Sequence, residues 1–201
     1  MQDDTHQIDE LLAYWVGPPT ADGSVPRDRA ALWFGGDAAT DHDIRSRFGD
    51  ALERACRGEL TGWGATARGR LATVILLDQF SRNCFRGSTR AFAQDAAALT
   101  LARDAIARGD EQPLTLLERV FLYLPFEHAE DPAAQDESVR RFASLVAEAP
   151  PVARAAFEEF LRYAADHRDC IARFGRFPQR NATLGRTSTR DERAYLDALA
   201  G

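Results

Sequence analysis

Hydrophobic residues recur at intervals of three and four along nearly the whole chain, which is the spacing of one face of an α-helix. No segment alternates apolar and polar residues over a useful length, so no β-sheet is predicted. Gly, Pro and Asp divide the pattern into about eight helices with mostly short connections. The pattern therefore predicts an all-α fold in one domain over residues 1–201, built from stacked antiparallel helical hairpins as a bundle or short solenoid.

Residues that cap or break helices set the boundaries of these helices. The third helix is apolar on almost every side at residues 72–77, so we expect it to be the buried central helix. Residues 17–39 are rich in Gly, Pro and Asp and are expected to form a long loop, with Trp33 and Phe34 packed against the core. The predicted ranges are Thr5 to Gly17, Asp41 to Gly58, Thr66 to Asn83, Ser88 to Gly109, Pro113 to Pro125, Asp131 to Pro150, residues 152–174, and a last helix that begins at a Thr189–Glu192 capping box.

The composition is that of a globular protein, with 45% hydrophobic and 28% charged residues. No apolar run reaches the ~18 residues that a membrane span needs, and the N-terminus lacks the layout of a signal peptide. We therefore expect a cytoplasmic protein with no membrane contact. Cys56, Cys84 and Cys170 are far apart and form no C-x-x-C pair, so neither a disulfide framework nor a zinc knuckle is expected.

The charged residues narrow the function further. The net charge of −6 argues against nucleic-acid binding, because attraction to phosphates grows with the number of cationic contacts. All 25 basic residues are arginine. The lack of lysine excludes Schiff-base chemistry on lysine and a P-loop. Because arginine is the only basic residue in the chain, its number says nothing about function, and only the positions of the arginines do.

Four polar residues follow the apolar run of the third helix. Asp78 and Arg82 are spaced i,i+4, as are Gln79 and Asn83, so each pair can meet on one helical face. Because the helix is expected to be buried at residues 72–77, we expect it to stay at least partly buried one turn later. Two interpretations follow: a buried ion pair that holds neighbouring loops, or a ligand site.

Two histidines lie in positions that suggest acid–base chemistry. His128 stands between Glu127 and Glu130, just after Pro125, and a carboxylate beside an imidazole can tune a general base or orient a metal ligand. No H-E-x-x-H or H-x-x-x-H spacing occurs, so we expect no metal and no cofactor. The other histidine is His167, which can also be an ordinary core residue. It lies in the inward-facing stripe of the seventh helix, which consists of Val152, Ala156, Phe160, Ala164, His167, Ile171 and Phe174. The candidate catalytic residues are His128, His167, Glu127 and Asp78.

The segment after the seventh helix, residues 173–189, holds four arginines among Gly, Pro and Phe residues that cannot continue a helix. Arginine grips carboxylates and phosphates in a bidentate manner, so the segment can be an anion clamp at the mouth of a pocket. Alternatively, its arginines pair with nearby carboxylates and hold the loop down. The candidate ligand-binding residues are Gln79, Arg82, Asn83, Arg86, Glu130, Arg176, Arg180, Asn181 and Arg186.

Three long segments carry a family resemblance. LATVILLDQFSRNCFRGSTRAFAQDAAAL, ERVFLYLPFEHAEDPAAQDESVRRF and RFGRFPQRNATLGRTSTRDERAYL, with the Trp33-Phe34-Gly35 segment and the second helix, cover most of the chain. In these segments the chain resembles the bacterial family catalogued as domain of unknown function 924. The resemblance implies an all-α fold related to tetratricopeptide-like helical hairpins, and it brings no reaction, substrate or catalytic residue.

The sequence leaves functions of different classes open. The favoured hypothesis is an enzyme or sensor that binds a small anionic metabolite, with His128 or His167 as general base backed by Glu127 or Asp78. The alternative is a non-catalytic helical-hairpin module whose groove binds an acidic peptide. RNA binding through the two Arg-Asn segments is a third hypothesis, against which the net charge weighs.

Overall fold

The computed structural model describes residues 2–26 and 29–200, and these residues form helices and connecting turns without any strand. The predicted all-α class is therefore confirmed. The single domain over residues 1–201 stays a prediction, and its positions 1, 27, 28 and 201 lie outside the described residues. The helices are α1 (Gln2–Trp15), α2 (Ala30–Phe34), α3 (Ala38–Cys56), α4 (Ala67–Ile75), α5 (Ser81–Cys84), α6 (Asp95–Ala107), α7 (Leu116–Glu127), α8 (Pro132–Glu148), α9 (Arg154–Phe174) and α10 (Arg190–Ala200).

The central helix is the one that the sequence predicts. Thr66 caps α4 by accepting a hydrogen bond from the backbone N–H of Gly69, and α4 packs against α1, α6 and α7. Leu71 and Ile75 are fully buried, as predicted for this stretch. Each such side chain stabilises the fold by roughly 1.5–3 kcal/mol relative to leaving it exposed. Among the C-terminal helices, α7 packs on α8 and α8 on α9.

One turn of the central helix departs from α geometry. Leu76–Phe80 forms a π-helical turn between α4 and α5, in which the N–H of Ser81 bonds the carbonyl of Leu76, five residues back. A π turn holds one residue more than an α turn, and such turns are frequent at functional sites. It changes the direction in which Asp78 and Gln79 point relative to the helix that precedes them.

Two of the predicted helix starts in the first part of the chain are wrong. The residue expected to cap the first helix, Thr5, lies inside α1. The helix expected from Asp41 begins at Ala38, because the carboxylate of Asp37 accepts hydrogen bonds from the N–H groups of Ala39 and Thr40. In α3, Asp37 therefore bonds N–H groups of the first turn, which have no partner within the helix.

The predicted loop at 17–39 contains the short helix α2, and its positions 27 and 28 lie outside the described residues. Trp33 packs against the core as predicted and donates from its indole Nε1 to the carbonyl of Trp15 at 2.9 Å. Phe34 does not, since it is 63% exposed. This exposed ring bears on the pocket described below.

Two further predicted helix starts, at Ser88 and at Pro113, are also wrong. Ser88 precedes only a short 3-10 turn, and α6 begins at Asp95. Pro113 does not begin α7, because Thr115 and Glu118 form a reciprocal capping box. The predicted starts at Asp131-Pro132 and at the Thr189–Glu192 capping box are both confirmed.

The end of α7 places two candidate residues side by side. Pro125 lies inside the helix, which continues to Glu127 with His128 as its C-cap. The carbonyl groups left free at this end are bonded by the buried amide of Gln135, at 2.6 Å to Glu127 and 2.8 Å to Ala129. The amide of Gln135 thus fixes the backbone that carries Glu127 and His128.

No helix in the described part of the chain is long and apolar enough to cross a membrane.

Candidate functional site

The π turn and the end of α7 bring Asp78 and His128 into direct contact. The Nδ1 atom of His128 lies 2.8 Å and 2.9 Å from the two carboxylate oxygens of Asp78, which is completely buried. Burial alone would raise the pKa of Asp78, but the charge of Arg82 and the contact with His128 outweigh it and hold that pKa well below its usual range. Asp78 is therefore ionised, and His128 donates to it from Nδ1.

Arg82 completes the surroundings of Asp78 and is itself neutralised. Its Nη1 lies 3.3 Å from the Asp78 carboxylate and donates to the Asp78 carbonyl, and its two Nη atoms make a bidentate pair with Asp95 at 3.0 Å and 3.1 Å. Gln79 donates from its side-chain amide to Asp78 at 2.5 Å. The predicted Asp78–Arg82 contact is thus present, as one part of a larger network.

Arg180 joins this network from the loop after α9. It donates to the carboxylate of Asp95 at 2.9 Å and to the carbonyl of His128 at 2.9 Å. Its guanidinium lies over the rings of Phe92 and Phe177. Asp95 is thus shared by two arginines, and Arg180 fixes the backbone of His128 from behind.

Glu127 and His167 form a second acid–imidazole contact. The Nδ1 atom of His167 lies 2.8 Å from the carbonyl oxygen of Tyr163 and 3.3 Å from a Glu127 oxygen, and the two imidazole rings, His128 and His167, are 6.2 Å apart between centroids. Because a carbonyl can only accept, Nδ1 of His167 carries the proton and Nε2 is the unprotonated nitrogen.

Burial sets the protonation states of this pair. Burial, helped by the negative charge of Asp78, raises the pKa of Glu127 to about 8. Burial, helped by His128, lowers the pKa of His167 to about 4. Burial and the positive charge of Arg82 also lower the pKa of His128. At neutral pH Glu127 is therefore a neutral acid, and both imidazoles are uncharged.

These groups meet at one end of a pocket of about 370 Å³. The polar end is formed by Gln79, Arg82, Glu127, His128 and His167. The remaining wall is apolar and mostly aromatic, which resembles small-molecule sites in general. Its side chains are Trp33, Phe34, Val120, Phe121, Leu124, Phe142, Phe160 and Tyr163.

The structure therefore brings together the four predicted catalytic residues and two of the predicted ligand-binding residues, Gln79 and Arg82. Asn83 and Arg86 do not line this pocket. Both bond Asp41 instead, with the Asn83 amide at 2.9 Å and the Arg86 guanidinium at 2.6 Å and 2.9 Å. Gln79 and Asn83, which the sequence spaces so that they can meet on one helical face, bond different acids, Asp78 and Asp41.

The other predicted ligand-binding residues hold the loop after α9. Arg176 makes a bidentate pair with Glu192, and Arg186 makes one with Glu130. Glu130 also accepts the N–H of Phe177 at 2.7 Å, and Asn181 donates to the hydroxyl of Ser188 at 3.0 Å. The sequence offered two interpretations of these arginines, and their contacts match the one in which they pair with carboxylates.

Sequence reasoning missed Asp95 and the aromatic wall. Asp95 looks like an ordinary acidic residue in the first turn of α6, and nothing in its surroundings marks it as the partner of Arg82 and Arg180. The aromatic residues fit a helical spacing that core residues share. Val152 was placed in the inward stripe of the seventh helix, but it precedes α9 and is 59% exposed.

Within residues 2–26 and 29–200, no three His, Cys, Asp or Glu side chains are grouped so as to hold a metal ion.

Comparisons with known proteins agree with the resemblance read from the sequence. The model of the family described as bacterial protein of unknown function (DUF924) matches residues 11–199. No curated protein matches the chain. A solved structure of a protein of unknown function, ATU0120 from Agrobacterium tumefaciens, is 40% identical, with a TM-score of 0.81 over 98% of this chain and 99% of that one. The chain therefore belongs to the bacterial protein family of unknown function 924.

Proposed function

We propose that this pocket is the active site of an acid–base enzyme that acts on a small molecule with an apolar body and a polar head of at most one negative charge. In this proposal His128, oriented by Asp78, is the general base, and Glu127 is the proton donor. The observation that carries the proposal is the buried Asp78–His128 pair, whose imidazole faces an apolar pocket beside a carboxyl group held neutral. Acids and bases with pKa values pushed apart are typical of active sites.

The hydrogen-bond inventory supports the role of His128. Its Nδ1 is engaged by Asp78, and no described protein group bonds its Nε2, which is therefore available as an acceptor on the pocket side. A proton taken up at Nε2 would create an imidazolium that the ionised Asp78 stabilises. The donor of that proton is a hydroxyl, a water molecule or an acidic C–H of the bound molecule.

The charges limit the head group. Asp78 and Asp95 balance Arg82 and Arg180, so the polar end carries no net charge at neutral pH, with Glu127 neutral. Arg82 is the only arginine in the pocket wall within the described residues. A single carboxylate or a carbonyl oxygen can accept hydrogen bonds from Arg82 and from the Glu127 carboxyl group, whereas a multiply charged phosphate has no matching cations. The predicted anionic ligand is thereby narrowed to a monoanion or a carbonyl compound.

Incubation of the small-molecule fraction of a bacterial cell extract with the purified protein in D2O tests this function. We expect mass spectrometry to find a compound that gains deuterium, or that is consumed, in the presence of the native protein and of the exposed control Arg140→Ala. His128→Gln should abolish the change. A native protein that leaves every compound unchanged, or a His128→Gln variant that works as well as the native one, would contradict the proposal.

A further inference from the structure

A second cavity of about 610 Å³ adjoins the first along α9. Four aromatic side chains line both cavities, so the two cavities are direct neighbours that share one aromatic wall. They are Trp33, Phe34, Phe160 and Tyr163.

Successive turns of α9 run from the polar end of the first cavity to the far end of the second. His167, Tyr163, Phe160 and Ala156 follow one another at intervals of three and four residues, on one face of the helix. His167 lies in the first cavity only, Ala156 in the second only, and the two residues between them border both. At 1.5 Å per residue, about 16 Å separate His167 from Ala156 along the helix axis.

Most side chains that line the second cavity are apolar, and the cavity is partly open to solvent. Its wall includes Val25, Val152 and Ala156, and Glu159 is the only charged residue lining it within the described part of the chain. Phe34 and Tyr163 line both cavities and are in ring contact, with their centroids 6.1 Å apart, and Phe34 is largely exposed. Phe34, Val152 and Tyr163 are all exposed and line this cavity together, and a contiguous exposed apolar patch is typical of a binding site.

We infer that the second cavity holds a linear apolar tail of the molecule whose head lies at His128 and His167. The substrate class is therefore an amphipathic monoanion or carbonyl compound with an unbranched alkyl or acyl chain. The inference rests on the proposed function for the position of the head. It adds a chain that runs past the contacting rings of Phe34 and Tyr163 and lies along α9 as far as Ala156.

Calorimetric titration of the native protein with straight-chain carboxylates from butanoate to dodecanoate tests the inference. Each methylene that enters an apolar site should strengthen binding about threefold to fourfold. We expect this gain to continue along the series, with Ala156→Trp stopping it at an intermediate length by filling the second cavity. Val152→Asp, at an exposed position, should weaken only the longest members. Glu158→Trp, on the exposed side of the same helix, is the matched control and should behave like the native protein.

The outcomes separate this inference from the proposed function. If short carboxylates bind and added methylenes give no gain, or if Ala156→Trp and Val152→Asp both leave the series unchanged, the tail site is wrong while the head site stands. If the chain-length dependence holds but His128→Gln retains all turnover, the tail site stands and the catalytic role fails. A concentration-dependent dimer that Ala156→Trp disrupts would assign the second cavity to another copy of this chain and overturn the inference, as would failure of every carboxylate to bind.

Discussion

The pocket and the loop after α9 both combine arginines with carboxylates, but their polar groups differ in how many of their hydrogen-bonding atoms the protein itself uses. In the loop, Arg176 and Arg186 each make a bidentate pair with one glutamate. In the pocket, His128 and His167 use only one ring nitrogen each for the protein. Groups that are fully paired within the protein stabilise the fold, whereas a ring nitrogen without a protein partner can accept a proton or a hydrogen bond from a bound molecule.

The largest loss of stability is expected at Asp78, the completely buried acid beside the pocket. Asp78→Ala removes the carboxylate that Arg82, His128 and Gln79 share, and it leaves Arg82 with fewer partners in a buried place. Breaking a buried ion pair by removing one member costs about 3–5 kcal/mol. Urea unfolding should show this loss, and the exposed control Asp136→Asn should lie close to the native curve. A loss below about 1 kcal/mol would mean that the network does not bear on stability.

A smaller loss of stability is expected at Arg180, which connects the loop after α9 to the residues beside the pocket. Arg180→Ala removes the bonds to Asp95 and to the His128 carbonyl, but Asp95 keeps its bidentate pair with Arg82. We therefore expect a loss of about 1–3 kcal/mol, smaller than for Asp78→Ala because Asp95 is less deeply buried than Asp78 and keeps a bidentate partner. Arg140→Ala, on an exposed side chain, serves as the control in the same unfolding experiment. Equal losses for Asp78→Ala and Arg180→Ala would erase the distinction between pocket and loop.

The third prediction concerns the pH dependence of stability. The pKa of Glu127 is raised from 4.5 to about 8 in the folded protein, so its stabilising contribution is complete below pH 4.5 and is lost as pH rises through 8. Between pH 6.5 and 8, above the range where His167 titrates, the native free energy of unfolding should fall relative to that of Glu127→Gln by up to about 1.4 kcal/mol per pH unit. Glu158→Gln controls for the removal of one exposed carboxylate. Parallel curves for native protein and Glu127→Gln would show that Glu127 is ionised throughout.

Features set by a few neighbouring residues could be read from the sequence. The apolar run of α4, the Asp131-Pro132 start of α8 and the Thr189–Glu192 capping box all appear where local spacing and capping chemistry place them. The His128–Asp78 contact was within reach too, because both residues stood out as polar groups beside apolar helical stretches.

Features set by tertiary contacts could not be read in this way. The π turn at Leu76–Phe80 has the same apolar pattern as an α turn, so its effect on Asp78 is invisible in the sequence. With 25 arginines and 31 acidic residues, many pairings are possible, and only the fold selects Asp95 for Arg82 and Arg180. The sequence therefore identified several residues that the fold brings together, and it left open which carboxylate each arginine pairs with.

The last prediction is measured in a spectrum rather than as a stability, and it tests the comparison most directly because it identifies the protonated nitrogen of each ring. Long-range proton–nitrogen NMR at about pH 7.5 should find His128 and His167 protonated at Nδ1 only, since Asp78 and the Tyr163 carbonyl both accept from Nδ1. The exposed His6 and His42 provide internal references in the same spectrum. Asp78→Asn should remove the preference at His128 and keep it at His167, whose acceptor is a backbone carbonyl. If His128 instead carries protons on both nitrogens, it forms a complete ion pair with Asp78, and it resembles the saturated loop arginines rather than an available base.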